Sequence, residues 1–93
     1  MLNQVVLVGK LAQEVEVVEL DNGDRIGYIT LELETPKGGF DYLTCRLWSE
    51  NLDGTLDKQV GTMLGIKGRL EPMNRYAVIV VEKISYLGLN DAN

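Results

Sequence analysis

Between Gly27 and Trp48 the side chains alternate in character with a period of two, broken only at Pro36-Lys37-Gly38-Gly39. Gly27, Ile29, Leu31 and Leu33 interleave with Tyr28, Thr30, Glu32 and Glu34. After the break, Leu43, Cys45 and Leu47 interleave with Phe40, Tyr42, Thr44, Arg46 and Trp48. Successive side chains of a β-strand point to opposite faces, so each stretch reads as a strand with one face in a core and the other outside. The Pro-Lys-Gly-Gly segment has turn chemistry and joins them. A helical period fits neither stretch.

The same punctuation cuts up the rest of the chain. Asn22-Gly23, set between Val15–Leu20 and Arg25–Glu34, is the strongest short hairpin signal available to a sequence. Val5-Val6-Leu7-Val8 is apolar at consecutive positions and predicts a strand covered on both faces. From Ser49 to Gln59 the alternation stops, and Leu52 and Leu56 take the i, i+4 spacing of one side of a helix. Ser49 or Asn51 is the expected cap, Gly61 the expected stop, and Gly54 costs such a helix about 1 kcal/mol. Leu64, Ile66, Gly68 and Leu70 then alternate with Met63, Gly65, Lys67 and Arg69. A turn is expected at Glu71–Asn74, and Arg75–Tyr86 returns as the last strand, apolar on both faces over Ala77–Val81.

Three strands, a short helix and a final hairpin give the order β-β-β-α-β-β. In about 90 residues this is the order of an OB-fold, an all-β, five-stranded Greek-key barrel with one short helix between strands 3 and 4. Residues 1–88 are assigned to that single domain and 89–93 to a short loose tail.

Composition removes several chemistries. The 93 residues include no histidine and one cysteine, Cys45. Ser-His and Cys-His nucleophiles, histidine metal sites and zinc ribbons are therefore excluded, and no cofactor is expected. No phosphate-cradling glycine loop is present. Glu32 and Glu34, at i, i+2 on an outer strand face, read as solvated carboxylates, and no enzyme is expected. A lone cysteine forms no internal disulfide, which fits a reducing cytosol; no signal peptide is expected, and no apolar run reaches the roughly 18 residues of a membrane span.

Charge bears on partners. The net charge is −5, against the basic excess usual in nucleic-acid binders. Its distribution is uneven: residues 1–35 carry two basic and seven acidic groups, and residues 36–93 carry seven of each. Charges beyond roughly 8 Å are screened at physiological salt, so the local pattern governs. Weak binding is the expectation.

The outer row Phe40, Tyr42, Thr44, Arg46, Trp48 combines flat rings with a guanidinium, a pattern suited to stacking unpaired bases and holding a phosphate. In an OB barrel the second and third strands form the usual ligand face, and here they bear Tyr28, Phe40, Tyr42, Arg46 and Trp48. The alternative is a strand whose aromatics pack beneath another element or subunit. Tyr76 and Tyr86 read as structural.

With these residues placed, the sequence resembles the bacterial single-stranded DNA-binding proteins. The resemblance is carried by Asn3–Leu11, Ile29-Thr30-Leu31, Cys45-Arg46-Leu47-Trp48, Gly61, Gly68-Arg69-Leu70, Arg75-Tyr76 and Val80-Val81-Glu82, in matching order over roughly residues 1–88. It implies an OB-fold assembled as a homo-oligomer, dimer or tetramer, with single-stranded DNA as partner, contacts to replication proteins and no membrane role. Tyr42 and Trp48 sit at family stacking positions, and Arg46 and Arg69 at polar or basic ones. The expected nucleic-acid-binding set is thus Phe40, Tyr42, Arg46, Trp48, Lys67, Arg69 and Arg75. The chain departs from the family in its short Pro36–Gly39 and Pro72–Asn74 connections and in Val60 where a lysine is common, and the family's acidic tail is not expected. Those departures keep open a second reading, an OB-fold protein-interaction module of primosomal type.

Overall fold

The computed structural model describes residues 3–89. Its elements are β1 (Val5–Leu11), β2 (Glu16–Glu19), β3 (Arg25–Glu34), β4 (Phe40–Trp48), α1 (Ser49–Thr55), β5 (Thr62–Met73) and β6 (Tyr76–Leu89). The strand order is β1-β5-β6-β4-β3-β2, and a further β1–β3 pairing through Lys10↔Glu32 and Leu11↔Leu31 closes the sheet. β1 and β2 are the two halves of the first barrel strand, interrupted at 12–15, so the closed barrel counts five strands. The tail assigned to 89–93 begins inside β6, which runs to Leu89; residues 90–93 lie outside the described residues.

The Asn-Gly turn forms as its chemistry requires. Gly23 takes φ 90°, its N–H donates to Leu20 O at 2.9 Å, and Asn22 Oδ1 accepts from Asp24 N at 3.0 Å. A residue with a side chain is strained at that φ. At the other end of the barrel, Asn3 works as an extra rung beside β1. Its side chain donates to Leu70 O at 2.8 Å and accepts from Leu70 N at 3.0 Å.

Leu11, Ile29, Leu31, Cys45, Leu47, Leu64, Ile66, Ile79 and Val81 fill the interior, and Leu52 of α1 plugs it. Gly27 makes room for the plug, because a Cβ there would collide with Leu52 Cδ1. Burial pushes the Cys45 thiol up to about 12, so it stays protonated and acts as a small apolar group.

Several sequence expectations are corrected. α1 ends at Thr55 with Leu56 as its cap, not at Gly61, and its N-cap is Trp48 with no side-chain cap bond. Neither Ser49 nor Asn51 is that N-cap: Ser49 is already in α1 at φ 43°, and the Asn51 amide instead reaches Val81 O and Glu82 O. Leu52 is buried but Leu56 is exposed, because the helix stops before a second turn can be covered. Gly54 has a packing reason: a Cβ would lie 2.8 Å from the Tyr86 hydroxyl, which shares a 2.7 Å hydrogen bond with Thr55 Oγ1. Tyr86 is structural, as expected.

β1 is not covered on both faces within the chain; Val6 is 70% exposed and Val8 58%. The turn expected over Glu71–Asn74 is only Asn74-Arg75, with Asn74 at φ 58°. Pro72 belongs to β5, where that strand pairs with β6 alone; an edge position tolerates the missing N–H.

Candidate nucleic-acid interface

β3 and β4 pair in register from Ile26↔Trp48 to Glu34↔Phe40. Directly opposed residues share a face, so Tyr28 stands beside Arg46, Thr30 beside Thr44 and Glu32 beside Tyr42. The complementary face, with Ile29, Leu31, Cys45 and Leu47, is the core. The alternation read from the sequence therefore puts the aromatic row outside. Phe40 is 53% exposed, Tyr42 58% and Trp48 40%.

The three rings have different surroundings. Trp48 ends β4 and begins α1, over a cleft bounded by Asp24, Arg25, Leu52 and Asp53. Tyr42 lies mid-strand and donates its hydroxyl to Glu32 Oε2 at 3.2 Å. That bond to the carboxylate, reinforced by its charge, holds the phenol above its usual range, so Tyr42 stays neutral well past physiological pH. Phe40 sits nearest the turn and turns toward β1, sharing a cleft with Val8, Lys10, Glu34 and Met63.

Arg46 is held rather than free. Its guanidinium lies 5.8 Å from the Tyr28 ring centre and 5.9 Å from that of Trp48. Nη1 meets Glu71 Oε1 at 3.2 Å and Nη2 points at Met73 Sδ at 3.5 Å. Only 12% of the side chain is exposed. Glu71 also accepts from Arg69 Nη2 at 3.2 Å, and Arg69 Nη1 reaches Glu82 at 3.5 Å. A chain of alternating charge thus runs from Arg46 on β4 to Glu71 and Arg69 on β5 and ends at Glu82 on β6.

The remaining predicted residues are dispersed. β4 and β6 run parallel with Arg46 beside Val80, and Val80 stands beside Arg69, so Arg69 extends the aromatic face. Lys67 stands between Val6 and Lys83 on the β1–β5–β6 side. Arg75 occupies the β5–β6 turn. Neither Lys67 nor Arg75 has an ion-pair partner among the described residues.

Sequence reasoning missed Glu71 and Met73, whose contacts to Arg46 cross 25 and 27 residues. It also assigned Tyr76 to the structure, yet that ring is 79% exposed at the start of β6, beside a cleft lined by Thr44, Met73 and Asn74. The alternation of β5 puts Glu71 on the side of Arg69, and that of β6 puts Tyr76 on the side of Val80, which is the Arg46 side; that was the available signal. A larger cleft of ≈ 330 Å³ lies between Glu14, Glu16, Tyr28, Thr44 and Met73. Among the described residues no group of three or more His, Cys, Asp or Glu side chains is placed to hold a metal, and no helix is long and apolar enough to cross a membrane.

A closed Greek-key barrel with a short helix, whose second and third strands present an outer aromatic row, is an OB-fold with an open ligand face. The profile of the Single-strand binding protein family matches residues 2–82, and the chain belongs to that family. It is 31% identical over 78 residues to single-stranded DNA-binding protein B of Bacillus subtilis, covering 76% of this chain and 69% of that one. Against protein A of the same organism the identity is 35% over 83 residues, covering 80% of this chain and 47% of the relative, so it spans about half of that protein's length. Among solved structures it superposes on the dimeric N-terminal domain of PriB from Thermoanaerobacter tencongensis with a TM-score of 0.79 at 28% identity, covering 91% of this chain and 96% of that one. The Thermus aquaticus single-stranded DNA-binding protein gives 0.84 at 20% identity over 99% of this chain and 43% of its own, a likeness of fold.

Proposed function

We propose that this chain binds single-stranded DNA without sequence preference, stacking bases on Tyr42 and Trp48 with Phe40 at the margin. Phosphates are held by Arg46 and Arg69 on the same face and by Lys67 and Arg75 at its borders. Its setting is replication, recombination and repair, where duplexes are opened, and replication proteins are its expected protein partners. The observation that carries the reading is the outward aromatic row on β4. Rings accept any base, because every base has a π-face, and the backbone charge makes such binding salt-dependent.

Trp48 is the sole tryptophan and reports directly. Titration with oligo-dT at low salt is expected to quench its fluorescence, with the response fading by a few hundred millimolar salt. An unchanged signal at low salt defeats the reading.

The working unit is a homo-oligomer. Between Val5 and Gly9, β1 pairs only with β5 among the described residues, its β3 contact starting at Lys10. That open strand edge carries Val6 and Val8, with Leu87 exposed nearby over Gly65. Such an edge favours pairing with a second copy. A solution mass measurement is expected to give a dimer or larger, and Val6→Glu with Val8→Glu to give a monomer; a monomeric parent chain would refute this.

A second reading, a protein-docking face, draws on Glu32 and Glu34, which set carboxylates beside Tyr42 and Phe40. Retention of replication or recombination proteins after nuclease treatment, without fluorescence quenching by DNA, would favour it.

A further inference from the structure

Arg46 combines a strong donor set with almost no acceptors. Its guanidinium has five N–H bonds, yet among the described residues one carboxylate oxygen and one thioether sulfur are its hydrogen-bond acceptors. Nε is buried and without a hydrogen-bond partner, the one such side-chain atom among the described residues. Nε and Nη2 form the side-on edge of a guanidinium, the edge that grips two oxygens of a phosphate. Here that edge is met only by Met73 Sδ, a weak acceptor. The end-on nitrogen Nη1 is taken by Glu71. Both blocking groups come from the last three residues of β5.

Glu71 does more than pair with Arg46, because its second oxygen binds Arg69. One carboxylate therefore pairs with both arginines of the aromatic face, its two oxygens divided between them. It stands where a phosphodiester would bridge them, with similar bite and the same charge sign. Resting on the single-strand-binding reading above, we propose that the end of β5 is a built-in competitor for the DNA backbone. Glu71 and Met73 mask Arg46, and a bound phosphate displaces them. Affinity is thereby set low and released by the ligand itself.

The test compares the full chain with Glu71→Gln, Met73→Ala and Glu19→Gln, following Trp48 quenching by oligo-dT over a range of salt. Glu19→Gln matches the charge change at an exposed β2 position, opposite Arg25 and not an ion-pair partner of Arg46 or Arg69. Glu71→Gln keeps an acceptor for Arg46, and circular dichroism checks its fold. Expected is binding about threefold to tenfold tighter than Glu19→Gln at low salt, with a salt dependence steeper by about one phosphate contact. Met73→Ala, which changes no charge and stands in should Glu71→Gln misfold, is expected to bind more tightly than the parent. Equal or weaker binding by Glu71→Gln, or by Met73→Ala where it substitutes, overturns the masking role; weaker binding would make Glu71 a positioning residue for Arg46. If parent and variants bind in the order expected for masking, the proposal stands. If none binds, the single-strand reading falls and the masking role with it. If the parent binds and Glu71→Gln matches Glu19→Gln, only the masking role falls.

Discussion

Replacing Tyr42 and Trp48 together by alanine is expected to remove single-strand binding while leaving the barrel intact. Each base stacked on a ring is worth about 1–3 kcal/mol, so losing two costs about 2–6 kcal/mol. That corresponds to a fall in affinity of about thirtyfold to more than ten-thousandfold. Because the variant lacks its tryptophan, anisotropy of a labelled oligo-dT is the measurement. The fold is expected to survive because both rings lie outside the core cluster and Trp48 makes no side-chain cap bond to α1. Single alanine variants should each lose part of the affinity. An unchanged affinity in the double variant would remove stacking from the mechanism, whereas loss of the fold would assign the rings to packing.

Leu52→Ala is expected to be the most damaging single change to stability, costing about 2–5 kcal/mol. Leu52 is the one α1 residue in the core cluster and is 1% exposed. Its neighbour Gly27 has no side chain that could move into the space, so the barrel end cannot collapse onto the vacancy. In a domain of this size that loss corresponds to a fall in Tm of at least about 10 °C, readable by calorimetry. Leu56→Ala, at the exposed cap, is the control and should stay within about 0.5 kcal/mol of the parent. Equal effects at the two positions would show that α1 is not the plug described.

The parts of this molecule that were legible in its sequence are those fixed by neighbours along the chain. Alternation from Phe40 to Trp48 specified the outward ring row because strand geometry leaves two faces only. Asn22-Gly23 specified its turn because few residues tolerate the required backbone. The masking of Arg46 was not legible, since Glu71 becomes its neighbour only after β6 has been inserted between β4 and β5. The valines of β1 misled for a related reason. Consecutive apolar residues signal cover on both faces, and among the described residues Val6 and Val8 stay mostly exposed. The helix cap was missed because β4 runs directly into α1, leaving no loop residue to act as a separate cap.

The two connections 35–39 and Asn74-Arg75 are too short to fold over a strand lying on the rings. Such a trough releases its cargo sideways, base by base, without first opening a clasp. Residence on one copy should accordingly be brief, and lasting coverage of a long polynucleotide would come from many copies exchanging rapidly side by side.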